Sequence, residues 1–326
     1  MKDLVYKILI LIFFSQSTSG YPHSSCKEVV SEGMTDQSNQ ITVSPTDQKL
    51  KLNIQKVVQR MEKVLKWQPN TRIDFSKSEF EIGGQYYDGE ISVRSPEKTD
   101  FINLTSLIVH EYGHAFFDEN MKIFFRGRVA TFQNHRKRLK DAIQFAIQNG
   151  KGEELRRLYS DSYRLDGLFI ETMVYQELLG DLFAAYFNKD PNAVSRILLD
   201  NWNELSDSQK QEILETEPRY LDLVELRTFS IRDYSEEILF ESNLAEMYYR
   251  ELNLVRPFIW SILEKLPEKD FPIFVKSFIM AAERHRKIYR RVPDWEFQIT
   301  TNYKRFLSFN EKFRTILNTA LLENLP

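Results

Sequence analysis

The sequence predicts an α+β protein that is mostly helical, with a small sheet near the N-terminus and a helical C-terminal lobe. Two patterns carry that prediction. Between residues 70 and 94, apolar and polar residues alternate and are interrupted by Gly83-Gly84 and Asp88-Gly89. On either side, apolar residues recur at helical spacing, and from Met121 onward almost every segment reads as helix. The 326 residues are 42% hydrophobic and 13% aromatic, which excludes a disordered chain and is enough to bury a substantial core.

Taken in order, Lys2 and Lys7 flank a short basic region, Ile8 to Phe14 are apolar, and Ser15 to Gly20 are small or polar. This is the layout of a secretory signal peptide over about residues 1–20, with cleavage near Thr18-Ser19-Gly20. The expected location is therefore secreted or periplasmic. The apolar stretch is shorter than the roughly 20 residues a bilayer span needs, and no later segment is long and uncharged enough, so no integral membrane anchor is expected. Cys26 is the only cysteine and cannot form an internal disulfide. Ser24-Ser25-Cys26 leaves lipid anchoring as an alternative, although His23 stands where a lipobox has Leu.

Residues 21–45 are polar and read as a flexible linker. Thr46 or Asp47 then caps a helix whose Leu50, Ile54, Val57, Met61, Val64 and Leu65 recur at helical spacing, ending near Trp67 before Pro69. Strands are expected at Arg72 to Phe75, Phe80 to Ile82 and Glu90 to Arg94. An apolar helix follows through Leu104 and Phe117. Further helices are expected over roughly Thr131 to Gln148, Gly152 to Tyr163 and Gly167 to Phe187, and in a series from Pro191, with a loop at Asn149 to Gly152. The expected units are an α+β lobe over 46–125 and a helical lobe over 126–326, without internal repeats.

The apolar helix carries His110-Glu111-Tyr112-Gly113-His114, and two of the five histidines fall in this one segment. Residues four apart on a helix are about 6 Å apart along the axis and nearly on one face, so both imidazoles can reach one tetrahedral Zn²⁺. Glu111 is rotated by about 100°, which puts its carboxylate where a general base would take a proton from a water. Gly113 keeps one face narrow. The alternative is a chance match on an ordinary core helix.

A catalytic zinc site has three protein ligands and an open fourth position. The continuation that supplies the third ligand from the same helix fails, because Phe117 replaces its Gly and Asn120 its last ligand. A second apolar helix, Tyr175 to Phe187, carries Glu177 and Asp181 one turn apart. Buried carboxylates need a partner, and a metal or a metal-bound histidine is one. The rival is Glu171, which has Tyr175 rather than Asp four residues later.

From about Glu90 to Phe187, and no further, the chain resembles the gluzincins, the thermolysin-like clan in which HExxH is followed on a later helix by ExxxD. That resemblance implies a zincin-like small sheet with an active-site helix, and a zinc metallopeptidase acting on a peptide or protein substrate. It implies one Zn²⁺ per chain held by His110, His114 and Glu177, with Glu111 as general base and Asp181 orienting His110. It also implies that Glu90 to Arg94 forms a cleft-edge strand to which an extended peptide can add.

Net charge of −3 argues against nucleic acid or an anionic membrane as partner. The basic runs Arg136-Lys137-Arg138 with Lys140, and Arg284 to Arg291, fit solvated helix faces. Asn103-Leu104-Thr105 is a formal glycosylation sequon at the start of the motif helix, where capping or burial is expected instead. An oxyanion-stabilising donor is sought among His285, Tyr220, Tyr234, Tyr248 and Tyr249, between which spacing does not choose. The alternative function is an inactive zinc-binding protein serving as a binding module or scaffold, against which the intact Glu111 speaks.

Overall fold

The computed structural model describes residues 41–42, 48–67, 72–74, 84–87, 89–93, 101–196, 203, 205–208, 210–211, 251–289 and 303–325. The segment expected as a signal peptide, Cys26, and Tyr220, Tyr234, Tyr248 and Tyr249 lie outside these residues.

Within them the fold is α+β and mostly helical. Strand β1 (Ile41–Thr42) is followed by α1 (Gln48–Leu65), then β2 (Arg72–Asp74), β3 (Gly84–Tyr87) and β4 (Glu90–Val93). Helix α2 (Phe101–Asn120) leads into a hairpin of β5 (Lys122–Phe125) and β6 (Arg128–Thr131). Next come α3 (Phe132–Gln148), α4 (Gly152–Ile170) and α5 (Met173–Asn188). The described C-terminal part holds α6 (Arg256–Leu263), α7 (Phe271–Tyr289) and α8 (Tyr303–Asn324). Among the described residues no helix is long and apolar enough to cross a membrane.

The first sheet has the order β1-β2-β4-β3, with β1, β2 and β4 parallel and β3 antiparallel to β4. Ile73, Ile91 and Tyr86 stand opposite one another across three strands and are all buried. Alternation along each strand thus produces one apolar row, and α2 covers that sheet. The register pairs Tyr87 with Glu90, so β3 and β4 are joined by a two-residue turn whose Gly89 has φ of 85°.

Several expectations are corrected. Ile41–Thr42 pairs with β2 although it falls in the stretch read as linker. The strand before β4 is Gly84–Tyr87, while Phe80 to Ile82 lies outside the described residues. Glu90–Val93 is not an edge: β4 is bonded to β2 on one side and β3 on the other, which leaves no main-chain row for another strand. Among the described residues the edge beside it is β3.

The β5–β6 hairpin replaces helix or loop immediately after α2. Its turn is Arg126-Gly127, both at positive φ (46° and 75°), the backbone that two-residue hairpins require. Arg126 is ion-paired to the buried Asp161 of α4. The expected boundary between residues 125 and 126 falls at this turn, and one apolar core runs from Ile54 to Leu321 across it.

Thr131 caps α3 by accepting a hydrogen bond from the Asn134 amide at 3.3 Å. Helix α4 runs unbroken through Gly167, read from sequence as a start. The break comes at Glu171-Thr172, where Thr172 Oγ donates to the Phe169 carbonyl and Gln176 Nε2 donates to Thr172 Oγ. Beyond it, every residue of α5 from Met173 to Phe187 is buried, so this helix has no solvent face.

Candidate metal centre

Helices α2 and α5 approach so closely that backbone meets backbone. A Cβ on Gly113 would lie 2.7 Å from Gly180 Cα, and one on Gly180 would lie 2.7 Å from His110 Cε1. Any side chain at either position would force the helices apart or push the imidazole aside. Gly113 was legible as a narrow face; Gly180, which makes room for the His110 ring, was not singled out.

That contact brings Glu177 to the histidines. His110 Nε2 and His114 Nε2 are 3.0 Å apart. Glu177 Oε2 is 3.5 Å from His110 Nε2, and its Oε1 is 3.6 Å from His114 Nε2. Bonds of about 2.0–2.2 Å to a tetrahedral ion separate ligand atoms by about 3.3–3.6 Å; the two Glu177 spacings fall in that range, and the 3.0 Å between the imidazoles is shorter. Two imidazole nitrogens and a carboxylate thus lie within 3.6 Å of one another, and a divalent cation suits such a donor set. Glu111 is buried on the same helix, with a carboxylate oxygen within 4.8 Å of the ring nitrogens. His110 and Glu177 are sealed from solvent, and His114 is the more exposed of the three.

Asp181 stands one turn beyond Glu177, fully buried. Its Oδ1 is 3.1 Å from His110 Nδ1, and its Oδ2 is 2.6 Å from Arg256 Nη1. With Nδ1 of His110 set against this acid, Nε2 is the nitrogen that faces His114 and Glu177. Arg256, 1% exposed, was missed by the sequence reading. No local pattern ties it to Asp181; only a buried arginine near a buried acid would have hinted at it.

Glu171, the rival ligand, sits at the end of α4 and accepts a hydrogen bond from Arg286 at 2.8 Å. His285 is excluded as an oxyanion donor. Its Nε2 is 3.1 Å from the Phe309 carbonyl and its Nδ1 is 2.7 Å from Tyr175 Oη, deep among Phe309, Phe313 and Tyr289. Burial pushes its pKa down to about 3, so it is a neutral core imidazole.

The basic run at Arg136 is not simply solvated. Arg136 Nη1 donates to both oxygens of buried Asp118 at 2.7 Å, and its guanidinium lies 4.2 Å from the Phe169 ring centre. Tyr86 Oη of β3 donates to the same Asp118 at 3.2 Å, which ties the edge strand to α2 one turn beyond His114. Burial, with the Asp118 charge, raises the Tyr86 pKa well above its ordinary value. Asn103 of the sequon is buried within α2. Comparison of the chain with protein-family models, with curated proteins and with solved structures finds no match.

Proposed function

We propose that this chain is a zinc-dependent peptidase of gluzincin type, exported through the segment at residues 1–20, that hydrolyses peptide bonds in a peptide or protein substrate. The observation that carries the reading is Glu177: its carboxylate comes within 3.6 Å of both motif nitrogens although it lies on another helix. A chance HExxH has no reason to recruit a buried acid there, nor a second one behind His110. The antiparallel edge strand β3 and the helix α2 that follows β4 support the zincin-like comparison.

His110, His114 and Glu177 would hold one zinc ion. Bound there, zinc supplies a Lewis acid that polarises a carbonyl and lowers the pKa of a water to about 7. Glu111 accepts the proton of the attacking water and passes it to the leaving amine. Asp181 keeps the His110 proton on Nδ1. Strand β3, at the sheet edge among the described residues, would take an extended substrate as a further strand.

The test is zinc per chain by elemental mass spectrometry in residues 21–326. About one ion in the wild type, and much less in Glu177→Ala, is expected. Zinc equal in both would move the third ligand away from Glu177, and none in the wild type would end the reading. Glu111→Gln should keep zinc and lose about 10²–10⁴-fold in turnover of a cleaved peptide; full activity in that variant would remove Glu111 from the mechanism.

A further inference from the structure

We infer that Arg256 is a positioning residue of the metal centre: it holds one oxygen of Asp181 so that the other is aimed at His110, and thereby sets the ring angle and tautomer of the first ligand. The inference rests on the zinc-site reading of His110, His114 and Glu177, and it adds a residue from the C-terminal helices to that site.

Arg256 begins α6, next to Pro257 and directly after a 3-10 turn at Asn253–Val255. The guanidinium is anchored from behind, its Nε donating to Asn253 Oδ1 at 3.1 Å, and its Nη1 is ion-paired with Asp181 Oδ2 at 2.6 Å. The two oxygens of Asp181 are thus in ion-pair contact on opposite sides, Oδ1 with His110 and Oδ2 with Arg256. Turning the carboxylate about its own axis would disturb both at once. A planar guanidinium held at two points fixes that angle as a mobile ammonium does not.

The chain of contacts extends outward. Asn310 of α8 donates to the Glu251 carbonyl at 2.7 Å, just before the turn that carries Asn253 and Arg256. The seating of the C-terminal helices is thus registered against His110 through four buried polar side chains.

The experiment is a double-mutant cycle on the zinc dissociation constant, measured by chelator competition on wild type, Arg256→Met, Asp181→Asn and the double variant, with Arg256→Lys beside them. Folding is followed separately by circular dichroism of the metal-free proteins. Arg256→Met should weaken zinc about 10–100-fold, and Arg256→Lys less. Adding Arg256→Met to Asp181→Asn should change affinity by under about twofold, because the arginine acts through the aspartate. Unchanged affinity in Arg256→Met would overturn the inference, and so would losses that multiply in the double variant. Should Arg256→Met not fold, Arg256→Lys decides: wild-type affinity there overturns the positioning role. Wild-type protein that binds no zinc defeats the zinc reading and this inference together. Zinc that depends on Glu177 but not on Arg256 defeats this inference alone.

Discussion

His110 and His285 are both buried histidines on long helices, 1% and 0% exposed, yet they sit in opposite chemical situations. His285 is closed at both nitrogens, by the Phe309 carbonyl and the Tyr175 hydroxyl, inside a shell of aromatic rings. His110 is held at Nδ1 by an aspartate and turns Nε2 toward a second imidazole and a glutamate. Burial alone therefore does not separate a candidate ligand from a core histidine. What separates them is whether the second nitrogen faces a group that completes a hydrogen bond or other lone pairs that call for a cation.

The largest expected effect breaks that comparison directly. His110→Gln should abolish stoichiometric zinc, whereas His285→Gln should leave about one zinc per chain and lower stability by roughly 1–3 kcal/mol, the cost of disturbing a buried hydrogen-bonded pair. Elemental analysis and denaturant titration of both variants measure this; zinc loss in His285→Gln would make it more than a core residue.

Next in size is a pair of glycines. Gly180→Ala places a methyl 2.7 Å from His110 Cε1 and should weaken zinc by at least about 100-fold, the upper end for changes around a ligand. Gly167→Ala, with nothing within 4 Å of its Cβ on helix α4, should leave zinc untouched and stabilise by about 0.5–1 kcal/mol. Chelator competition and thermal melting read the two. Equal zinc affinity in both would remove the role given to Gly180.

A pH dependence tests the His285 half. Its imidazole takes up a proton near pH 6.5 when unfolded but only near 3 when folded. The unfolded chain thus binds more protons between those values. Stability contributed by the neutral ring is present above about 6.5 and is lost as pH falls, by at most about 1.4 kcal/mol per pH unit. Denaturant titrations of the chelator-treated protein from pH 7 to pH 4 should show a steeper decline in wild type than in His285→Gln; parallel curves would contradict the buried neutral ring.

Much of the centre was legible because it is written within single helices. The four-residue spacing of His110 and His114, and of Glu177 and Asp181, places each pair on one face whatever surrounds the helix. The end of α1 before Pro69 and the Thr131 start of α3 were legible for the same local reason. Strand β3 and the β5–β6 hairpin were not, because four-residue strands carry little periodic signal and Arg126-Gly127 is a weak turn signature.

Two imidazoles, three carboxylates and a glycine on two apolar helices are competent side chains by composition and spacing alone. Their neighbours follow from packing. The crossing of α2 over α5 at Gly113 and Gly180, the approach of Glu177 to both imidazoles, the seating of Arg256 on Asp181 and the enclosure of His285 are all contacts between distant segments. Helical periodicity is a property of a few consecutive residues, whereas such contacts depend on how whole apolar faces pack.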